Sequence, residues 1–284
     1  MNLRGLLQRL ATEFEQAGIE TPGVDAELIV GHVLELNRGE LQAAAYLDRE
    51  ITPEQLEHIE SLAERRSARE PLQHITGLAY FRNLTLKVGK GVFTPRPETE
   101  SVAQLAIDAL RLQANPEPIA VDLGTGSGAI ALAIASEVPN SRVFAVEKST
   151  DALPFTRANF EASGLANATL IEGDFAEALT HLNGSVTLVI SNPPYIPNDA
   201  IPRDIEVRLH DPAMALYGGE DGMDAMHIVS RRARQLLHPG GILVVEHADS
   251  QSQQVVQLLL ADEWRQVRAH SDLTGRHRSV TAVR

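Results

Sequence analysis

Asn192, Pro193, Pro194 and Tyr195 stand together after an apolar run, V-T-L-V-I, at 186–190. These residue types suit the handling of a planar, weakly nucleophilic NH2 group, whose nitrogen lone pair is delocalised and attacks poorly. The Asn192 side-chain carbonyl and the Pro193 main-chain carbonyl can each accept one N–H bond from such a group. That would fix the nitrogen, favour its pyramidalisation and aim its lone pair. Two consecutive prolines stiffen the loop that carries the acceptors, and the Tyr195 ring offers a flat face for stacking. No strong base is needed before attack, because the product loses its extra proton easily. Catalysis is then positioning and electrostatics, with about 7–11 kcal/mol available from orientation alone. Taken by itself, N-P-P is also an ordinary end to a strand, since proline has no N–H for the ladder.

A second group supplies a place for a nucleoside cofactor. In I-A-V-D-L-G-T-G-S-G-A at 119–129, Gly124, Thr125, Gly126, Ser127 and Gly128 form a loop between an apolar strand and an apolar helix. Glycines there let the backbone turn sharply and approach a ligand at a helix N-terminus. Glu147 closes the next strand about twenty residues on, where a carboxylate can hold both hydroxyls of a ribose. Gly124-x-Gly126-x-x-Ala129 also satisfies the dinucleotide pattern, so the loop alone leaves NAD and S-adenosylmethionine open. Asp122 tilts the choice. An acid two residues before the first glycine sits awkwardly beside a pyrophosphate and comfortably near the cationic amino end of S-adenosylmethionine.

Both groups need a scaffold. Leu3, Leu6, Leu7, Leu10 and Phe14 recur at helical spacing, as do Ala26, Leu28, Ile29, Val33 and Leu34. Thr52-Pro53-Glu54 opens a further helix, with an N-cap threonine and proline at the first position. Residues 1–72 therefore read as a small helical bundle; its first 70 residues hold seven Lys+Arg against fourteen Asp+Glu. Residues 73–96 alternate apolar and polar positions around turn signals, as a β-hairpin linker does. A helix follows T-P-R-P-E-T-E at 94–100, with acids in its first turn. Within 97–284, strands are expected at 118–122, 142–147, 168–172, 186–190, 241–246, 264–269 and 279–283. Helices are expected at 127–137, 151–163, 223–237 and 250–260. Such alternation gives an α/β domain around a mostly parallel sheet, with an antiparallel end where the last two strands lack a helix between them.

Composition narrows the classes. The 284 residues contain no cysteine, which excludes disulfides and thiolate metal sites, and the ten histidines suggest no metal. The net charge is −13, and no basic run offers a phosphate-binding face, so DNA is not expected as a partner. Acids interrupt the N-terminal apolar stretch and no run reaches transmembrane length. A cytoplasmic protein without membrane contact is the expectation.

D-L-G-T-G-S-G, the acid at 147 and N-P-P-Y after the fourth strand resemble class I S-adenosylmethionine-dependent amino-methyltransferases. E-P-L-Q-H-I-T-G-L-A-Y-F at 70–81, F-T-P-R-P-E-T-E at 93–100 and D-L-T-G-R-H-R-S-V at 272–280 resemble the HemK/PrmC family more narrowly. Its members methylate the N5 amide nitrogen of the glutamine in the GGQ loop of peptide chain release factors. The resemblance implies a Rossmann-like, seven-stranded mixed sheet with S-adenosyl-L-methionine as cofactor. It implies that Gly124 to Gly128 cradle the methionine part, that Glu147 binds the ribose and that Phe175 lines the adenine pocket. Asn192, Pro193, Pro194 and Tyr195 would hold the glutamine, with Asn192 also near the cofactor. Residues 1–72 would help to dock the release factor, and a monomer is expected. This sequence departs from the family at Glu147, more often Asp, at Phe175, Trp in some members, and at Asn83, commonly Gly. A DNA adenine-N6 methyltransferase, which uses N-P-P-Y on a flipped base, is the alternative, and a non-catalytic cofactor-binding adaptor is a third reading.

Overall fold

The computed structural model describes residues 2–202 and 204–284. Its chain divides into two units, residues 1–78 with 203–210, and residues 79–202 with 211–284.

In the first unit, leucines at helical spacing give α1 (Leu3–Gln16) one apolar side, and Leu3, Leu6, Leu10 and Phe14 are fully buried along it. They meet Ile29 and Val30 of α2 (Pro22–Leu34) and Ile59 of α4 (Pro53–Ser67) in one core. Thr52 caps α4 in a capping box with Gln55, so its hydroxyl and the Gln55 side chain satisfy two backbone N–H groups reciprocally. Helix α3 (Arg38–Tyr46) buries only Leu41, so it has no stripe for periodicity to detect, yet Asn37 and Glu40 form its capping box. A single turn, α5 (Leu72–Thr76), ends the run.

The second unit opens with the hairpin β1 (Leu78–Phe81) and β2 (Leu84–Lys87), whose first residue still belongs to the bundle. Helix α6 (Pro97–Arg111) follows, and β3 (Ile119–Leu123), α7 (Ala129–Glu137), β4 (Arg142–Glu147), α8 (Leu153–Ser163) and β5 (Ala168–Glu172) alternate as expected. The Asn159 side chain on α8 takes the Lys87 N–H at 2.7 Å. It also donates to the Lys87 and Ser127 carbonyls at 3.0 and 2.9 Å, joining hairpin, helix and glycine loop. The chain continues through β6 (Val186–Ser191), α9 (Ile205–His210), α10 (Ala213–Leu216), α11 (Asp224–Leu236), β7 (Leu237–Glu246), α12 (Ser252–Ala261), β8 (Arg265–Ser271) and β9 (His277–Val283).

The seven strands β3 to β9 form one mixed sheet in the order β5-β4-β3-β6-β7-β9-β8. The first five in that order are parallel, and β9 runs antiparallel to both β7 and β8. The parallel strands are apolar because helices cover both faces; Leu188 and Ile190 of β6 lie in the core on one face, Val186 and Val189 in the core on the other. The direction of winding reverses between β3 and β6, and such a switch point leaves a crevice at the strands' carboxyl ends.

The first unit also holds a buried ion cluster. Arg66 is 7% exposed; its Nε donates to Asp25 Oδ2 at 2.7 Å and its Nη1 to Glu206 Oε1 at 3.0 Å. Arg69 Nη2 donates to Glu206 Oε2 at 2.7 Å. Removing one member of a buried cluster leaves uncompensated charge. Arg66→Leu is therefore expected to destabilise the helical unit by about 3–5 kcal/mol, read by urea titration with far-ultraviolet circular dichroism. A loss below about 1 kcal/mol would match an exposed pair instead.

Candidate active site

The glycine loop leaves β3 beside the end of β4. Gly124, Gly126 and Gly128 have φ of 80°, 57° and 87°, in the region that favours glycine. At Gly128 a Cβ would also sit 2.8 Å from the Phe160 ring, so the loop packs tightly there, whereas at Gly126 it would meet nothing within 4 Å. The loop thus has one packed side and one open side.

Glu147 anchors that loop. Its Oε2 accepts the Gly126 N–H at 2.8 Å, and its Oε1 accepts the N–H groups of Lys148 and Ser149 at 2.9 and 2.7 Å. Each carboxylate oxygen has two lone pairs, so with three of the four taken, one on Oε2 remains for a ligand hydroxyl. Thr125 turns inward and donates to Asp122 Oδ2 at 2.6 Å, and Asp122 Oδ1 is buried with no hydrogen-bond partner. Burial, with a smaller push from Glu147, raises the Asp122 pKa to about 7. An acid held this way gains from a cation brought beside it.

Phe175 is half-buried against the core on one face of the sheet, and its ring lies 3.8 Å from where a Gly124 Cβ would be. It is a core aromatic that also borders the glycine loop.

The N-P-P-Y loop leaves β6, next to β3 in the sheet. The buried Ser191 hydroxyl donates to the Leu123 carbonyl at 2.6 Å, tying the two strand ends together. Asn192 and Tyr195 are half-buried and Pro193 is buried. Beyond them the Ile196 N–H donates to the Leu216 carbonyl at 2.8 Å, and the Gly218 N–H donates to the Ile196 carbonyl at 2.9 Å. Gln251 Nε2 donates to the Tyr195 carbonyl at 2.9 Å. A side chain at Gly218 would collide with the Pro194 carbonyl, and one at Gly222 with the Tyr195 carbonyl. Burial, together with the nearby Glu246 charge, raises the Tyr195 hydroxyl pKa, so it stays protonated.

All the residues singled out in the sequence thus lie at the carboxyl ends of β3, β4, β5 and β6. Several neighbours carry no such signal. Glu246 ends β7, is 1% exposed, and lies beside the Asn192 side chain, with its Oε2 buried and without a hydrogen-bond partner. Burial lifts its pKa to about 8, with the neighbouring Thr99, Asn192 and Arg278 pulling down and Glu98 pushing up. The turn in D-L-T-G-R-H-R-S-V places Arg278. Asp272 Oδ1 accepts the N–H groups of Thr274 and Arg276, and Arg278 approaches Glu98 at 4.0 Å.

Residues 5–77 match the family described as the PrmC N-terminal domain, and residues 83–217 match the methyltransferase small domain. A release factor glutamine methyltransferase of Streptomyces coelicolor is 50% identical over 97% of this chain and 94% of its own length. One of Mycolicibacterium smegmatis is 44% identical over 99% of this chain and 98% of its own. This chain belongs to the release factor glutamine methyltransferase family. The solved ribosomal protein L11 methylase of Lactobacillus delbrueckii subsp. bulgaricus shares the fold, with a TM-score of 0.50, 17% identity, and coverage of 70% of this chain and 83% of that one.

The two buried acids make stability depend on pH. Asp122 rises from 3.8 to about 7 and Glu246 from 4.5 to about 8, so both bind protons more tightly folded than unfolded. Between those limits the folded chain holds more protons, and stability falls as pH rises. Without ligand, these two groups are expected to make the urea midpoint higher at about pH 5.5 than at about pH 8. Glu246→Gln should flatten that dependence. An equal slope in the variant would remove Glu246 from the account.

Proposed function

We propose that this chain transfers a methyl group from S-adenosyl-L-methionine to the side-chain amide nitrogen of the glutamine in the GGQ loop of peptide chain release factors. The observation that carries the reading is the juxtaposition of the N-P-P-Y loop and the glycine loop at neighbouring strand ends, in a chain of this family. The relatives' names support a protein acceptor and give no support to DNA.

The donor set suits S-adenosylmethionine. Gly124 to Gly128 would hold its methionine portion along the open side of the loop, and Glu147 its ribose. The unpartnered Asp122 Oδ1 suits its positive charge, and Phe175 would border the adenine. When bound, the cofactor supplies an electrophilic methyl on a sulfonium. Asn192 Oδ1 and the Pro193 carbonyl accept the two N–H bonds of the glutamine amide and draw its nitrogen toward a pyramidal geometry. Tyr195 stays neutral and presents its ring to the amide plane. No base removes a proton before attack, since the methylated amide loses one to water.

The helical unit is assigned the docking of the release factor, because a Gly-Gly-Gln loop offers too little surface for recognition by itself. No described helix is long and apolar enough to cross a membrane, and a cytoplasmic monomer is the form we assign.

Tritiated S-adenosylmethionine tests the reading. Label is expected in release factor, lost when its GGQ glutamine is replaced by alanine, and absent from DNA. Label in DNA alone would overturn it. Asn192→Ala is expected to lower the single-turnover rate by about 10²–10³, with cofactor affinity changed far less, because the acceptor's contribution grows toward the transition state. A rate within about threefold of the parent would leave N-P-P-Y as a turn. Tyr195→Phe should cost less than Tyr195→Ala, since phenylalanine keeps the ring face. Glu147→Gln should weaken cofactor binding, by about 1.5–3 kcal/mol for each charged hydrogen bond lost; calorimetry showing an unchanged dissociation constant would take Glu147 out of the ribose site.

A further inference from the structure

Beside Asn192 the sheet sets an acid that belongs to none of the sequence motifs. Ser191 of β6 is in register with Val245 of β7, so the next residues, Asn192 and Glu246, stand at neighbouring parallel strand ends. On its other side Glu246 pairs with Ser279 of β9. The carboxyl is buried beside the Asn192 side chain, and its Oε2 has no hydrogen-bond partner.

That neighbour matters because an asparagine amide has two nearly isosteric faces, one that accepts and one that donates. To hold an NH2 group, Asn192 must present Oδ1. Turned over, it would set its own NH2 against the substrate's. Once ionised, a carboxylate only accepts, so in that form Glu246 can hold Asn192 only through Nδ2, which leaves Oδ1 pointing away from it.

We infer that Glu246 is a positioning residue for methyl transfer, holding the Asn192 amide by its N–H so that Oδ1 is turned to the acceptor amide. The inference rests on the reading of this chain as a glutamine methyltransferase. Glu246 acts through Asn192 and touches no reacting atom. The groups that face it are Thr99 and Glu98 from α6, Arg278 from β9, and Asn192 and Tyr195 from the N-P-P-Y loop. A carboxylate buried to 1% is costly; a neutral isostere removes that cost and also removes the constraint on Asn192. Stability and turnover then move in opposite directions, which structural support alone does not produce.

The test uses Glu246→Gln in the full chain, at about pH 9, where a carboxyl with a pKa of about 8 is mostly ionised. The variant is expected to melt at or above the parent's temperature and to bind S-adenosylmethionine within about twofold. Its kcat on release factor should fall about tenfold, a typical coupling between contacting side chains. In an Asn192→Ala background the same change should cost less than about twofold, because there is no amide left to orient. Equal losses in both backgrounds, or a kcat within twofold of the parent, would overturn the inference. A second readout does not depend on the reaction. The Asn192 side-chain NH2 resonances, assigned by their loss in Asn192→Ala, should shift with a midpoint near pH 8 in the parent and stay put in Glu246→Gln. Resonances that do not titrate in the parent would overturn the hydrogen bond itself. If the parent leaves release factor unlabelled while the resonances titrate, the functional reading fails and the bond stands.

Discussion

One buried hydrogen bond sets the geometry on which the site depends. The Ser191 hydroxyl donates to the Leu123 carbonyl at 2.6 Å, joining β6 to β3 where both strands stop. From Leu123 the chain enters the glycine loop; from Ser191 it enters N-P-P-Y. The two loops leave from adjacent positions because β3 and β6 are parallel neighbours, and the hydroxyl fastens those positions. Pro193 cannot extend the ladder, so the second loop must diverge at that level. A parallel sheet thereby delivers both loops to one crevice.

The loops are then held from behind by features of little chemical character. Gly218 and Gly222 lie against the carbonyls of Pro194 and Tyr195, where any Cβ would collide. Gln251 donates to the Tyr195 carbonyl. Asn159 spans Lys87 and Ser127, so the hairpin supports the glycine loop through a single amide. These groups limit how far the loop backbones can move. Preorganisation of this kind is what positioning catalysis requires.

Legibility in the sequence followed the range of the signal. Strands β3, β4 and β6 stand out because each is a short, largely apolar run between turn residues, and the mixed sheet follows from the alternation of strands with helices. Boundaries drifted where backbone geometry decides: α7 starts at Ala129 and not at 127, because Gly128 still has φ of 87°. Helix α3 has no apolar stripe for periodicity to reveal. Contacts across many residues left no local trace. Nothing in the pattern of 203–210 shows that Glu206 bonds Arg66, 140 positions earlier, or that this segment counts with the helical unit. Glu246 was invisible for the same reason; at the end of V-V-E it reads as a strand terminus, and only the register with β6 reveals its neighbour.

The sheet order β4-β3-β6-β7 puts Glu147, Asp122, Asn192 and Glu246 at or next to four consecutive strand ends. Three of the four are acids, and two are raised well above the ordinary carboxylate range by burial. No fold needs that arrangement for its own stability, because each buried carboxyl costs desolvation or keeps a proton. The cost falls when a cation enters, since opposite charge favours the ionised form. Asp122, whose Oδ1 has no hydrogen-bond partner, is the acid of this set that such a cation would relieve, whereas Glu246 already has Arg278 nearby.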